Sequence, residues 1–214
     1  MKKEKKSLVY RFASGVMPAI YRFIFSCKCI GEKNIPMEGP LIIASNHVTA
    51  IDPIILGDLS GKRKVRFMAK DSLFKKKLIG KLLRSLGAFP VIRGTGGEDA
   101  LAEARKILND GGVLCVFIEG TRSKDGQLLK PKTGVPLLAF ETNATIVPVN
   151  IVSEGGQRPK LGRKTMMRVG EPISIEETGM TEASSMHYRR GAKYIMAKIT
   201  ELREKSLEEL DIKK

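Results

Sequence analysis

The chain has 214 residues, 42% of them apolar, and a net charge of +15 from 38 basic and 23 acidic side chains. That length suits one well-buried domain, or one domain with a small appendage, and the apolar share excludes a disordered chain. The charge implies an anionic partner: nucleic acid, a phosphorylated substrate or an anionic membrane surface. Only 6% of residues are aromatic and Trp is absent, which weakens a nucleic-acid reading built on stacking platforms.

In chain order, "MKKEKKSLVYRFASGVMPAIYRFIFSCKC" joins a basic start to an apolar stretch broken by Arg11, Pro18 and Arg22. Its longest uncharged run, Phe12 to Tyr21, falls far short of the roughly 20 residues a spanning helix needs. No clean small-residue cleavage site follows. Residues 1–30 therefore read as a membrane-associating segment of one or two interfacial helices. Their apolar set is Leu8, Val9, Phe12, Val16, Met17, Ile20, Phe23, Ile24 and Phe25. Lys2, Lys3, Lys5 and Lys6 would meet anionic headgroups, at roughly 1 kcal/mol each. The competing reading is a helix packed on the protein's own core, with a solvated basic tail. Cys27 and Cys29 follow strand alternation, and with Cys115 they form no metal or redox spacing. They read as reduced, buried thiols, which points to a reducing, cytosolic compartment.

Residues 31–214 read as one domain in which strands and helices alternate. "LIIAS" (41–45) is a buried strand, and "PIILGDL" (53–59) a short helix with Pro53 at its first position. "KVRFMA" (64–69) is a strand, and "DSLFKKKLIGKLLRSLG" (71–87) one helix capped by Asp71 or Ser72. "AFPVI" (88–92) is a strand, residues 96–112 a helix, and "VLCVFIE" (113–119) the most strand-like run. "GVPLLAFETN" (134–143) is helical, "TIVPVNI" (145–151) a strand and "TMMRVGEPI" (165–173) an edge strand. A long helix runs from about Glu182 to Leu210, with His187 in its polar part and on the surface. The pattern predicts an α/β fold: a mixed, partly parallel sheet flanked by helices, with an N-terminal interfacial helical segment.

Four stretches could carry chemistry. "NHVTAIDP" follows the first buried strand, where α/β sites gather. On a continuous helix His47 and Asp52 would lie about 140° apart, so a bond between them needs the chain to turn. Asp52 precedes Pro53, and a residue before proline avoids helical geometry. Asp52 could then hold one nitrogen of His47 while the other takes a proton from a substrate hydroxyl. No serine or cysteine nucleophile is evident, so the substrate itself would attack. The alternative is that Asp52 simply caps its own helix. "FIEGTRS" (117–123) ends a strand in Glu119, Gly120, Thr121 and Arg122. Gly permits close approach of a ligand and Arg matches phosphate oxygens; a plain turn with a surface Glu–Arg pair is the other reading. "GAFPVIRG" ends its strand with Arg93 before Gly94, and Lys70 closes "RFMAK". Three cationic strand ends beside a histidine describe a pocket for a phosphate monoester. The basic amphipathic stretch "LFKKKLIGKLL" (73–83) either lies on a membrane or is a solvated face, and "KPKTGVP" (130–136) is an anion-binding loop or a turn.

Taken together, "NHVTAID", "GAFPVIRG", "FIEGTRS" and "TIVPVNI" resemble, in order, the four blocks of the glycerolipid acyltransferase family, and within it the lysophosphatidic acid acyltransferases. The resemblance implies transfer of a fatty acyl group from acyl-CoA or acyl carrier protein to 1-acyl-glycerol-3-phosphate, giving phosphatidic acid. It implies His47 as general base and Asp52 as its orienting partner. It implies Arg93 and Arg122, with Lys70, on the acceptor phosphate, and Glu119, Gly120 and Thr121 shaping the glycerol site. No metal or organic cofactor is implied, and two histidines could not build a His-rich metal site. The expected location is the cytoplasmic face of the membrane, peripheral or monotopic. Acyl transfer to glycerol-3-phosphate or another lysophospholipid, and thioester or ester hydrolysis, are the nearest alternatives.

Overall fold

The computed structural model describes residues 8–59, 63–91 and 97–212. Seven strands form one sheet: β1 (Cys27–Ile30), β2 (Leu41–Ser45), β3 (Val65–Lys70), β4 (Ala88–Val91), β5 (Val113–Phe117), β6 (Thr145–Ser153) and β7 (Thr165–Val169). Their order is β1-β7-β6-β2-β5-β3-β4. Every neighbouring pair is parallel except β6 with β7. Among the described residues, seven α-helices flank the sheet: α1 (Leu8–Ile24), α2 (Asp52–Leu59), α3 (Asp71–Phe74), α4 (Lys77–Ser85), α5 (Glu98–Asn109), α6 (Gly134–Thr142) and α7 (Ser185–Ile212). The mixed α/β sheet expected from the alternating pattern is thus the architecture found.

β2 is buried throughout, and apolar up to Ser45, because both its faces are covered. Leu41 and Ile43 join a core with Val65, Phe67, Val113 and Cys115, against Tyr21 of α1 and Ile55 and Leu56 of α2. Ile42 and Ala44 join the opposite core, with Ala104 and Leu108 of α5, Leu138 and Ala139 of α6, and Ile195 and Ile199 of α7. Pro148 sits inside β6, where a missing N–H would ordinarily break a ladder. The β6–β7 register runs only from Val149 to Ser153, and Gly170 donates its N–H to the Pro148 carbonyl at 2.8 Å. The proline falls where the partner strand has already ended.

Three expectations are corrected. The segment 165–173 supplies no edge strand: β7 lies between β6 and β1, because Cys27–Ile30 pairs in parallel beyond it. β1 therefore belongs to the sheet although it falls within residues 1–30. The helix expected over 71–87 is two helices. Lys76 is extended (φ −82°, ψ 108°), and α4 then packs so closely on α3 that a Cβ on Gly80 would come 2.5 Å from the Phe74 carbonyl oxygen. His187 is buried: its Nδ1 accepts the Thr181 N–H at 3.1 Å, and Nε2 lies 3.5 Å from Glu182. The turn before α7 folds back over the imidazole, which periodicity within the helix could not reveal.

Candidate active site

β2 has β5 on one side and β6 on the other, so the strand order reverses around it. Crevices form at the carboxyl ends of strands at such points. His47 stands there, just past the end of β2. Asn46 makes the exit possible. Its Oδ1 accepts the Ile151 N–H at 2.8 Å and its Nδ2 donates to the Ile151 carbonyl at 2.9 Å. The side chain continues the β2–β6 ladder by one step while the backbone turns away, and Asn46 is 2% exposed.

Asp52, fully buried, reaches back into this loop rather than capping α2. It meets His47 Nδ1 at 2.8 Å, the N–H groups of Val48 at 2.7 Å and Thr49 at 2.8 Å, and the Thr49 hydroxyl. An acceptor-only carboxylate on Nδ1 fixes the proton there and leaves a lone pair on Nε2. Nε2 meets no protein partner among the described residues. The imidazole stacks on Phe117, the last residue of β5, with ring centroids 3.7 Å apart and planes 12° apart. Bond and stack together fix the ring's position and tilt.

Glu119 is the second buried carboxylate, 2% exposed. It accepts the His47 N–H at 3.3 Å and the Leu129 N–H at 2.9 Å. Burial pushes its pKa above the ordinary glutamate value, against the lowering effect of those two N–H donors. Its contacts make it a clamp between the histidine loop and the segment after β5. The Ser123 N–H donates to the His47 carbonyl at 2.8 Å and closes the same loop from the other side. Gly120 follows with φ +69°, a left-handed conformation that glycine adopts without strain.

The structure therefore brings His47, Asp52, Glu119 and Gly120 together. Thr121 and Arg122 are exposed immediately after them. Lys70 is exposed at the end of β3, the strand beside β5. Neither Lys70 nor Arg122 has a protein partner among the described residues. Arg93 lies outside the described residues. Asn46 and Phe117 took no role in the sequence reading, although both stand inside the quoted blocks. Arg203 of α7 gave no signal at all. It is 7% exposed, and its Nη2 donates to the Gly156 carbonyl and to Gln127, each at 3.0 Å, bracing the loop that follows Arg122.

The chain as a whole is similar to known proteins. The chain is 29% identical over 167 residues to the 1-acyl-sn-glycerol-3-phosphate acyltransferase of Bacillus subtilis, covering 77% of this chain and 82% of that one. It is 31% identical to the chloroplastic 1-acyl-sn-glycerol-3-phosphate acyltransferase of Arabidopsis thaliana over 66% of this chain and 40% of that longer protein. Among solved structures it resembles the 1-acyl-sn-glycerophosphate (LPA) acyltransferase PlsC of Thermotoga maritima, at 25% identity and a TM-score of 0.71, covering 92% of this chain and 78% of that one. The Acyltransferase family profile matches residues 26–152, the stretch from β1 to β6 that holds the His47–Asp52 pair and the Glu119 clamp, and the chain belongs to that family.

Proposed function

We propose that the protein transfers a fatty acyl group from a thioester, acyl-CoA or acyl carrier protein, to the sn-2 hydroxyl of 1-acyl-glycerol-3-phosphate, giving phosphatidic acid. The observation that carries this reading is the His47 ring, held at Nδ1 by Asp52 with Nε2 open. Nε2 takes the hydroxyl proton as the acceptor oxygen attacks the thioester carbonyl. Asp52 stabilises the imidazolium that results, and the carbon–sulfur bond breaks as the proton passes to the leaving thiolate. A positioned base of this kind contributes about 10²–10⁴-fold.

The tetrahedral intermediate needs N–H donors. The amides of His47, Val48 and Thr49 are occupied by Glu119 and Asp52, and those of Gly120 and Ser123 by the Phe117 and His47 carbonyls. The amides of Thr121 and Arg122 donate to no acceptor among the described residues and are the candidates. Arg122, Arg93 and Lys70 take the acceptor phosphate, and Glu119 holds the histidine loop rather than the substrate.

The protein meets its lipid acceptor from one side of the bilayer. No helix among the described residues is long and apolar enough to cross a membrane. α1 instead turns Phe12, Val16, Ile20, Phe23 and Ile24 to the surface, and α4 exposes Leu78, Ile79 and Leu82 among Lys75, Lys76, Lys77 and Lys81. Apolar residues edged by lysines suit an anionic leaflet. The side chains of Leu8, Val9 and Met17, and residues 1–7 with their lysines, lie outside what the structure describes.

The test is thiol release from acyl-CoA and from an acyl carrier protein thioester in liposomes, with and without 1-acyl-glycerol-3-phosphate, for wild type and His47→Ala. Acceptor-dependent release with phosphatidic acid formed, lost in the mutant, is expected. Acceptor-independent release would make the protein a hydrolase, and equal rates in the mutant would remove His47 from the mechanism.

A further inference from the structure

The segment after Arg122 returns to the site as a strap. Its Leu129 N–H donates to Glu119 Oε1 at 2.9 Å, and its Lys132 N–H donates to the Ile118 carbonyl at 2.7 Å. Those two bonds lay residues 129–132 alongside residues 118–120. The consequence is local: a Cβ placed on Gly120 would lie 3.4 Å from Cγ of Lys132. The stem of Lys132 thus passes directly over the glycine that separates Glu119, on which the His47 backbone rests, from Thr121 and Arg122.

Lys132 is exposed and has no carboxylate partner among the described residues. The acidic groups nearby are otherwise engaged. Asp52 is surrounded by donors from the histidine loop, Glu119 is bound by two backbone N–H groups, and Asp125 accepts from the Ser123 hydroxyl and the Gln127 N–H. A cation whose stem passes over Gly120, two residues before a second cation with no protein partner among the described residues, Arg122, calls for an anion. In the reaction proposed above, both substrates carry a phosphate ester.

We infer that Lys132 is a phosphate-binding residue of this site, acting with Arg122 on the phosphate ester of a substrate; the inference rests on the acyltransferase reading. The glycine at position 120 fits this role, because a side chain there would strain a left-handed backbone and sit in van der Waals contact with the lysine stem. The ester belongs either to the acceptor or to the donor, and kinetics separate the two.

Lys132→Ala, Lys132→Arg and the charge control Lys106→Ala, exposed in the last turn of α5 where β5 begins and so at the opposite edge of the sheet, are compared with wild type in vesicles. Acceptors are 1-acyl-glycerol-3-phosphate and a monoacylglycerol; donors are acyl-CoA and acyl-pantetheine. The expected result is a KM raised about tenfold or more in Lys132→Ala with kcat little changed, partly restored in Lys132→Arg and absent in Lys106→Ala. A penalty on the phosphorylated acceptor but not on monoacylglycerol assigns the lysine to the acceptor. A penalty on acyl-CoA but not on acyl-pantetheine assigns it to the donor. Unchanged constants for all substrates, or a fall in kcat alone, overturn the inference while leaving the acyltransferase reading intact. Calorimetric titration with glycerol 3-phosphate and with CoA needs no turnover. Weaker binding of either by Lys132→Ala supports the inference even if wild type transfers no acyl group, and equal affinity for both overturns it.

Discussion

The strand-end cradle around His47 and the outer surface of α1 and α4 are organised on opposite terms. In the cradle, polar groups are buried and matched: Asn46 to the Ile151 backbone, Asp52 to the histidine loop, Glu119 to His47 and Leu129. On the outer surface apolar groups are left facing outward: Phe23 is 87% exposed and Leu78 85%. Buried polar groups are costly unless paired, so the cradle tolerates little change. Exposed leucines contribute almost nothing to the fold, and a group of them on one face marks an interaction surface. α5 sharpens the contrast. It is amphipathic like α4, yet it turns Ala100, Ala104, Ile107 and Leu108 into the core and pairs Arg105 outward with Glu98 and Glu141.

The largest effect belongs to the cradle. Asp52→Ala leaves the His47 ring untethered and strips two backbone N–H groups of their acceptor, so kcat should fall about 10²–10⁴-fold. Steady-state rates with detergent-solubilised acceptor check this, and an unimpaired Asp52→Ala enzyme would dissolve the distinction between the two regions.

Next comes the outer surface, where binding and stability should separate. Leu78→Ser should weaken sedimentation with anionic vesicles about tenfold or more if the leucine is buried in lipid. The same variant should unfold in urea within about 0.5 kcal/mol of wild type. A stability loss with vesicle binding intact would show that the α4 face serves the fold.

Asn46→Ala should cost about 1–3 kcal/mol, since it leaves the Ile151 N–H and carbonyl buried and unpaired. Urea unfolding measures it, and the loss should exceed that of Leu78→Ser.

The smallest effect is a slope. Burial raises the Glu119 pKa in the folded state above its ordinary value of 4.5. The folded protein then holds this proton more tightly than the unfolded chain does. Stability should decline as pH rises from that ordinary value through the folded-state value, and the decline should vanish in Glu119→Gln. Urea midpoints across that interval in both proteins test the sign, and a rising wild-type curve attributable to Glu119 would reverse it.

The sequence by itself determined what depends on near neighbours. Short apolar runs bounded by glycine and proline placed the strands at 41–45, 113–117 and 145–153 to within a few residues, because a strand buried on both faces reads as a near-continuous apolar run. The His47–Asp52 bond was legible because both residues belong to one turn of chain, and Pro53 forces that turn. What required tertiary structure is every decision made across the sheet. Glu119 is a clamp only because β5 lies beside β2, and Asn46 finds Ile151 from a strand more than a hundred residues away. β7 is interior because β1 arrives from the other end of the chain, and His187 is buried by a turn that folds over it. α4 and α5 both carry apolar stripes. Periodicity records that a stripe exists, while the direction it faces follows from which surfaces remain to be covered once the whole sheet is assembled.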